Sequence, residues 1–296
     1  MARRGNFDVL GKYAWCVPSG ADIFILLLLL LLGALLGNVV VFLFNLALGP
    51  AAAAEYGMLV SYPVMFIPPM IWAAGKSGRN RMRFKGLALD NANVAPLGWA
   101  LCIVMVMAAT LAAGIVGDLS TSVLPDMPSW LKSALENLTA GNLWVNFLCV
   151  SIFAPFFEEW LCRGMVERGL LGRGVKPAWA IVISALFFAL IHMNPWQAIP
   201  AFLLGCLFGY VYYRTGSLKL TMLMHCVNNT LAVLIGKFGG ESMKDAKSIL
   251  EVIPAWEYVI IFIVSAAILW FLIDYLRKIP LQDPQGNCDV IPVSTE

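Results

Sequence analysis

The sequence has little charge for its length. Only 13% of its 296 residues are charged, whereas 60% are hydrophobic, and the mean hydropathy is +0.80. A water-soluble domain needs more charge to cover its surface, and a disordered chain would be far more polar. The net charge of +2 is too small for a strongly charged nucleic-acid-binding protein, so we expect no nucleic-acid partner. The composition predicts an all-α polytopic membrane protein that lies in the lipid bilayer.

Several familiar motifs are also missing. The seven cysteines include no CxxC pair, which disfavours a zinc ribbon or a disulfide framework. No HExxH segment occurs. No internal repeat of the transporter kind is evident. Only two histidines are present, His192 and His225, so their positions are informative.

Long apolar segments, in contrast, are abundant. A membrane-spanning helix needs about 20 mainly apolar residues. The segments that meet or approach this length predict about eight transmembrane helices, at 22–48, 57–74, 97–117, 143–158, 177–193, 197–213, 219–236 and 255–276. The first is too long for the apolar region of a signal peptide, so we expect it to be a retained span. In the sixth, Gly205 and Gly209 form a GxxxG step that permits close helix approach.

The distribution of basic residues predicts the orientation. If the N-terminus is cytoplasmic, the inside loops hold sixteen of the twenty lysines and arginines, in agreement with the positive-inside rule. Both termini are therefore predicted to be cytoplasmic, in a multi-pass protein of a bacterial plasma membrane. We divide the chain into residues 1–142 (three spans and an interfacial helix near 129–138), 143–236 (spans four to seven) and 237–296 (last span and cytoplasmic tail).

Polar residues inside apolar segments identify the candidate site. Glu158, Glu159 and Arg163 form the pattern EExxxR. Glu159 and Arg163 are four residues apart and share a helix face, so we expect an ion pair. Glu158 is rotated by about 100° from its neighbour, so it points elsewhere and is predicted to be the reactive carboxylate.

Two further segments carry the remaining polar groups. Phe188 and His192 are four residues apart, as are His225 and Asn229, and Asn228 is adjacent. A glutamate and a histidine can activate a water, and an imidazole with an amide can donate hydrogen bonds to an oxyanion. Each residue also has a structural interpretation, as part of a solvated helix end or of a hydrogen bond between helices. Their occurrence together favours a water-activating site.

The ordered motifs EExxxR, FxxxH and HxxxN resemble those of the CPBP membrane proteins. This family joins CAAX prenyl endopeptidases of the Rce type with bacteriocin-processing and immunity proteins, and the resemblance covers about residues 143–236. It implies an intramembrane endopeptidase in which Glu158 and His192 activate the attacking water. It further implies that His225 and Asn229 stabilise the oxyanion. The implied supporting residues are Glu159, Arg163, Phe188 and Asn228.

Some alternatives remain open at this stage. The implied substrate is a membrane-embedded or lipidated protein or peptide, with prenylated CAAX proteins as one class. We expect no cofactor; if zinc is used instead, its ligands would be Glu158, His192 and His225. The main alternative function is a catalytically silent membrane binding or immunity protein, and a proton-coupled carrier ranks third. We expect a cavity between the helices that opens to the cytoplasm or laterally to the bilayer.

Overall fold

The computed structural model describes residues 8–82, 86–94, 97–139, 141–240, 242 and 246–281. Within these residues all regular structure is helical, which confirms the predicted all-α membrane fold. Short 3-10 helices occupy Asp8–Tyr13 and Ile249–Glu251. The longer helices are α1 (Gly20–Leu48), α2 (Pro50–Asn80), α3 (Trp99–Ser122), α4 (Ser129–Thr139), α5 (Leu143–Leu171), α6 (Pro177–Leu190), α7 (Pro195–Thr215), α8 (Leu218–Phe238) and α9 (Ala255–Leu276).

Each predicted span coincides with a helix, but the helices differ in their capacity to cross a membrane. Among the described residues, six helices are long and apolar enough, namely α1, α2, α3, α5, α8 and α9. Helix α6 has only 14 residues, and α7 has 21 residues but is less apolar. The number of eight crossings and the cytoplasmic termini therefore stay predictions. A helix also covers the predicted segment near 129–138, while its position at the membrane interface stays a prediction.

Local sequence signals explain where several helices begin. Ser19 and Asp22 form a reciprocal capping box at the start of α1. The side chains of Asn194 and Ser217 accept hydrogen bonds from the first turns of α7 and α8. Gly216 ends α7 in the left-handed conformation, which glycine adopts without a steric penalty. Gly216 and Ser217 together form the tight connection between α7 and α8.

The helices pack around two apolar cores. One surrounds α5 and contains Trp160 and Phe188, and the other lies between α3, α7, α8 and α9 and contains Phe208. The GxxxG step brings α7 against its neighbours, because a Cβ added at Gly205 would lie 3.1 Å from the Cα of Ala185. This confirms the predicted close approach. Much of the apolar surface of α1 and α9 is exposed, as expected for helices that face lipid.

Candidate active site

Helix α5 carries the acid pair in an unusual backbone setting. The α-helical stretch Ala154–Glu159 lies between two π-helical stretches, Phe147–Phe153 and Trp160–Glu167. π-Helical turns are rare in proteins, but those that occur often lie at functional sites. They change the direction in which side chains leave the helix. Nothing in the sequence predicted them.

Glu159 lies on the packed side of α5 and forms the predicted ion pair. It is fully buried, and its Oε1 atom accepts a hydrogen bond of 2.8 Å from Nη1 of Arg163. The other terminal nitrogen of Arg163 donates to the Gly205 carbonyl oxygen at 2.8 Å. The guanidinium lies 4.9 Å from the ring centroid of Phe188 and 5.5 Å from that of Phe208. Arg163 thereby joins α5 to α6 and α7.

Glu158 lies on a different side of the helix, as predicted. The Tyr62 hydroxyl of α2 donates to its Oε1 atom. Its Oε2 atom is buried and has no hydrogen-bond partner among the described residues. That atom lies 3.8 Å from Nε2 of His225, which is too far for a direct hydrogen bond, and a water beside the two atoms can bond to both. Tyr62 was missed by the sequence analysis, although a hydroxyl in an apolar segment is a usable signal.

His225 connects the two glutamates. Its Nδ1 atom lies 3.1 Å from Oε1 of Glu159. Because a carboxylate oxygen only accepts hydrogen bonds, Nδ1 carries the proton, and Nε2 is the nitrogen directed at Glu158. Glu159 thus has a second contact, orienting His225, that the sequence analysis did not predict. The imidazole is held between the rings of Phe188 and Phe208, with centroid distances of 5.3 and 5.8 Å.

His192 lies in a turn rather than on the predicted helix face. Helix α6 ends at Leu190, because Met193 adopts a left-handed φ of 56° and Asn194 caps the next helix. The Nδ1 atom of His192 still lies 2.8 Å from the Phe188 carbonyl oxygen. A carbonyl only accepts, so Nδ1 donates, and Nε2 of the neutral ring can accept a proton.

Asn228 and Asn229 form a short amide chain on α8. Asn229 donates through Nδ2 to the carbonyl oxygen of Val150, in the first π-helical stretch, at 2.8 Å. Its Oδ1 atom accepts from Nδ2 of Asn228 at 3.1 Å. An amide nitrogen carries two protons, and among the described residues only the Val150 carbonyl oxygen accepts from Asn229, so its second N–H can donate to a substrate.

A cavity of about 750 Å³ brings the predicted residues together. Glu158, His192, His225 and Asn229 all line it, together with Asn228 and Phe188, whereas Glu159 and Arg163 lie behind its wall. We define its mouth by the lining residues at or beyond the ends of α3, α7 and α8, which are Asp118, Thr121, Trp196, Gln197, Lys237 and Lys247. These belong to segments predicted to lie outside the cytoplasm. With the predicted orientation, this mouth lies at the end opposite to the expected cytoplasmic opening, and a lateral opening to the bilayer stays a prediction.

The residues named as alternative zinc ligands do not form a ligand set. Within the part of the chain that the structure describes, no three His, Cys, Asp or Glu side chains lie close enough to hold a metal ion. Glu158, His192 and His225 share the cavity, and each histidine donates through Nδ1 and keeps its Nε2 atom free, but the three side chains do not come together as a group that could hold a metal ion. The geometry does not fit a three-ligand zinc site, and no chemical step is assigned to a metal.

Comparisons with known proteins point to this same part of the chain. Residues 140–231 match the model of a family described as Type II CAAX prenyl endopeptidase Rce1-like. The UPF0177 protein YaiF of Lactococcus lactis subsp. lactis (strain IL1403) is 31% identical over 99 residues, which cover 33% of this chain and 44% of that protein. No solved structure matches the chain. The resemblance predicted from the three motifs is confirmed over this region.

Proposed function

We propose that this protein is a membrane endopeptidase that hydrolyses a peptide bond with a glutamate-activated water. The observation that carries the proposal is the convergence of four polar side chains in one cavity, with the buried Oε2 atom of Glu158 facing Nε2 of His225 at 3.8 Å. A buried carboxylate oxygen without a hydrogen-bond partner is costly, and Glu158 differs from Glu159 and Glu167, which also have such oxygens, because it alone of the three lines the cavity. The match to an endopeptidase family model supports the same reaction class.

The reaction begins with Glu158. A water bound beside Oε2 gives its proton to the carboxylate while its oxygen bonds to the carbonyl carbon of the substrate. The tetrahedral intermediate then breaks its C–N bond, and the proton on Glu158 passes to the leaving amine. Tyr62 fixes the other oxygen of the carboxylate and so selects Oε2 as the proton acceptor.

The remaining groups act on the water and on the developing oxyanion. His192 can accept a proton through Nε2, since its Nδ1 atom donates to Phe188, and it assists Glu158 in holding the water. The free N–H of Asn229 donates to the oxyanion, and Nε2 of His225 does the same when it carries a proton. Phe188 and Asn228 keep these groups in position.

The substrate class follows from the setting of the site in a membrane protein. We propose a membrane-associated protein or peptide as the substrate, and a bacterial plasma membrane as the location. The printed description of the matching family names CAAX prenyl endopeptidases, so a prenylated CAAX peptide is one probe of choice.

The test uses purified protein in liposomes with internally quenched peptides, one farnesylated with a CAAX end and a panel of unmodified apolar sequences. We expect cleavage by the wild-type protein, detected by fluorescence and mass spectrometry. Glu158→Gln should lower the rate by about 10²–10⁴-fold, the usual effect of removing a general base. Glu257→Gln, outside the cavity, is the control and should be as active as the wild type.

Two results would contradict the proposal. One is cleavage by Glu158→Gln at the wild-type rate. The other is the absence of cleavage of every peptide by a protein that is folded and monodisperse. Either would favour the alternative of a membrane binding or immunity protein that uses the same scaffold.

A further inference from the structure

The mouth of the cavity lies at one end of the bundle. The exposed lining residues are Gln197 in the first turn of α7, Ala232, Gly236 and Lys237 in the last two turns of α8, and Lys247 beyond it. His225, by contrast, is buried and lies twelve residues before Lys237, about 18 Å along the helix. The site is therefore deep in the bundle, and exposure increases only towards this end.

The opposite end of the bundle is closed by two segments of chain. Arg168, buried near the end of α5, donates to the carbonyl oxygens of Cys16 and Leu87, which belong to the segments before α1 and before α3. On the second segment, the backbone N–H of Leu218 donates to Asp90 at 2.8 Å. The Tyr212 hydroxyl donates to the carbonyl oxygen of Leu89, also at 2.8 Å. These bonds hold both segments across the ends of α5, α7 and α8.

The two ends also differ in charge. The closed end carries most of the described basic residues, which are Lys12, Lys76, Arg79, Arg81, Arg168, Arg173, Lys176, Arg214, Lys219, Arg277 and Lys278. The open end carries Lys132, Lys237 and Lys247. By the positive-inside rule, the closed end is cytoplasmic and the mouth faces the other side of the membrane.

We infer that the substrate reaches Glu158 from the non-cytoplasmic side of the membrane. The inference rests on the proposed function and narrows its substrate class to a peptide segment presented at that face. Such a segment belongs to an exported peptide or to the non-cytoplasmic part of a membrane protein, rather than to a lipidated tail in the cytoplasm.

The side of access can be measured without any activity assay. Single cysteines are introduced at Ala232 in the cavity, at Gln197 in its mouth and at Lys176 on the closed end. Each cysteine is introduced into a parent chain in which serine replaces Cys206, Cys226 and Cys288, so that these native thiols cannot react. The other native cysteines are buried. Spheroplasts are treated with a membrane-impermeant maleimide before and after permeabilisation, and the labelled fraction is compared with that of the parent chain.

We expect Ala232→Cys and Gln197→Cys to react fully in intact spheroplasts, and Lys176→Cys to react only after permeabilisation. The inference is overturned if Ala232→Cys reacts only after permeabilisation, or if Lys176→Cys reacts in intact spheroplasts. It is also overturned if Gln197→Cys reacts but Ala232→Cys does not react under either condition, because the mouth would then not lead into the cavity.

The same labelling in a Glu158→Gln background separates the two proposals. An unchanged pattern is expected, because the direction of access does not depend on chemistry. If the labelling is as expected but no peptide is cleaved, the proposed function fails while the side of access stands. If peptides are cleaved but the labelling is reversed, only the access inference fails.

Discussion

Two sides of one helix differ sharply in this protein. On the cavity side of α5, Glu158 is partly exposed, and its Oε1 atom accepts a hydrogen bond from the Tyr62 hydroxyl. On the packed side, Glu159 and Arg163 are fully buried and bonded to each other. Adjacent carboxylates thus occupy opposite environments, because one residue of helix rotation separates a cavity from a core. In α5, the carboxylate proposed to react and the carboxylate that holds the packing ion pair are therefore adjacent in sequence.

The largest effect is expected on the packed side. Arg163→Met leaves the Glu159 carboxylate buried without its cation, and breaking a buried pair in this way costs about 3–5 kcal/mol. We expect a correspondingly lower unfolding temperature for the detergent-purified protein, with loss of activity. Arg79→Met, at an exposed position in the last turn of α2, is the control and should change little.

A double variant sharpens this prediction. Glu159→Gln combined with Arg163→Met removes both charges, so most of the lost stability should return. Activity should stay low, since His225 loses the carboxylate that orients it. A double variant less stable than Arg163→Met would contradict the ion-pair argument.

The next largest effect is expected at His225, whose imidazole lies beside both Glu158 and Glu159. His225→Gln removes the imidazole that lies between the two glutamates, and we expect a rate loss of about 10²–10³-fold, as for other oxyanion donors. Its unfolding temperature should fall less than that of Arg163→Met. Cys226→Ser, at the next position, is the matched control. Equal rates for the two variants would remove His225 from the mechanism.

A smaller loss of rate is expected when the hydrogen bond from Tyr62 of α2 to Glu158 is removed. Tyr62→Phe deletes the hydroxyl that donates to Glu158 but keeps the ring in place. One hydrogen bond to a charged group contributes about 1.5–3 kcal/mol, so we expect a rate loss of roughly ten- to a hundredfold with little change in stability. Tyr56→Phe, exposed on the same helix, should have no effect. Loss of stability without loss of rate would make Tyr62 a packing residue.

Much of this architecture is predictable because it follows from local patterns. The apolar segments predicted the helices, and the four-residue spacing predicted the ion pair of Glu159 with Arg163. Helical spacing could not predict the contact between Glu159 and His225, because they lie 66 positions apart in the sequence. It also could not give the end of α6 at Leu190, which depends on the turn that follows. Contacts between distant helices are decided by packing, and packing has no short-range signal in one sequence.

The smallest expected effect is that of metal removal. Among the described residues, Glu158, His192 and His225 do not come together as three ligands, and no other three His, Cys, Asp or Glu side chains do. We therefore expect peptide cleavage to continue at an unchanged rate after treatment with EDTA and removal of the chelator. Loss of cleavage that Zn²⁺ restores would mean that Glu158, His192 and His225 move together around a metal. In that case the cavity side of α5 would be a ligand site, and Glu158 would bind metal rather than accept a proton from water.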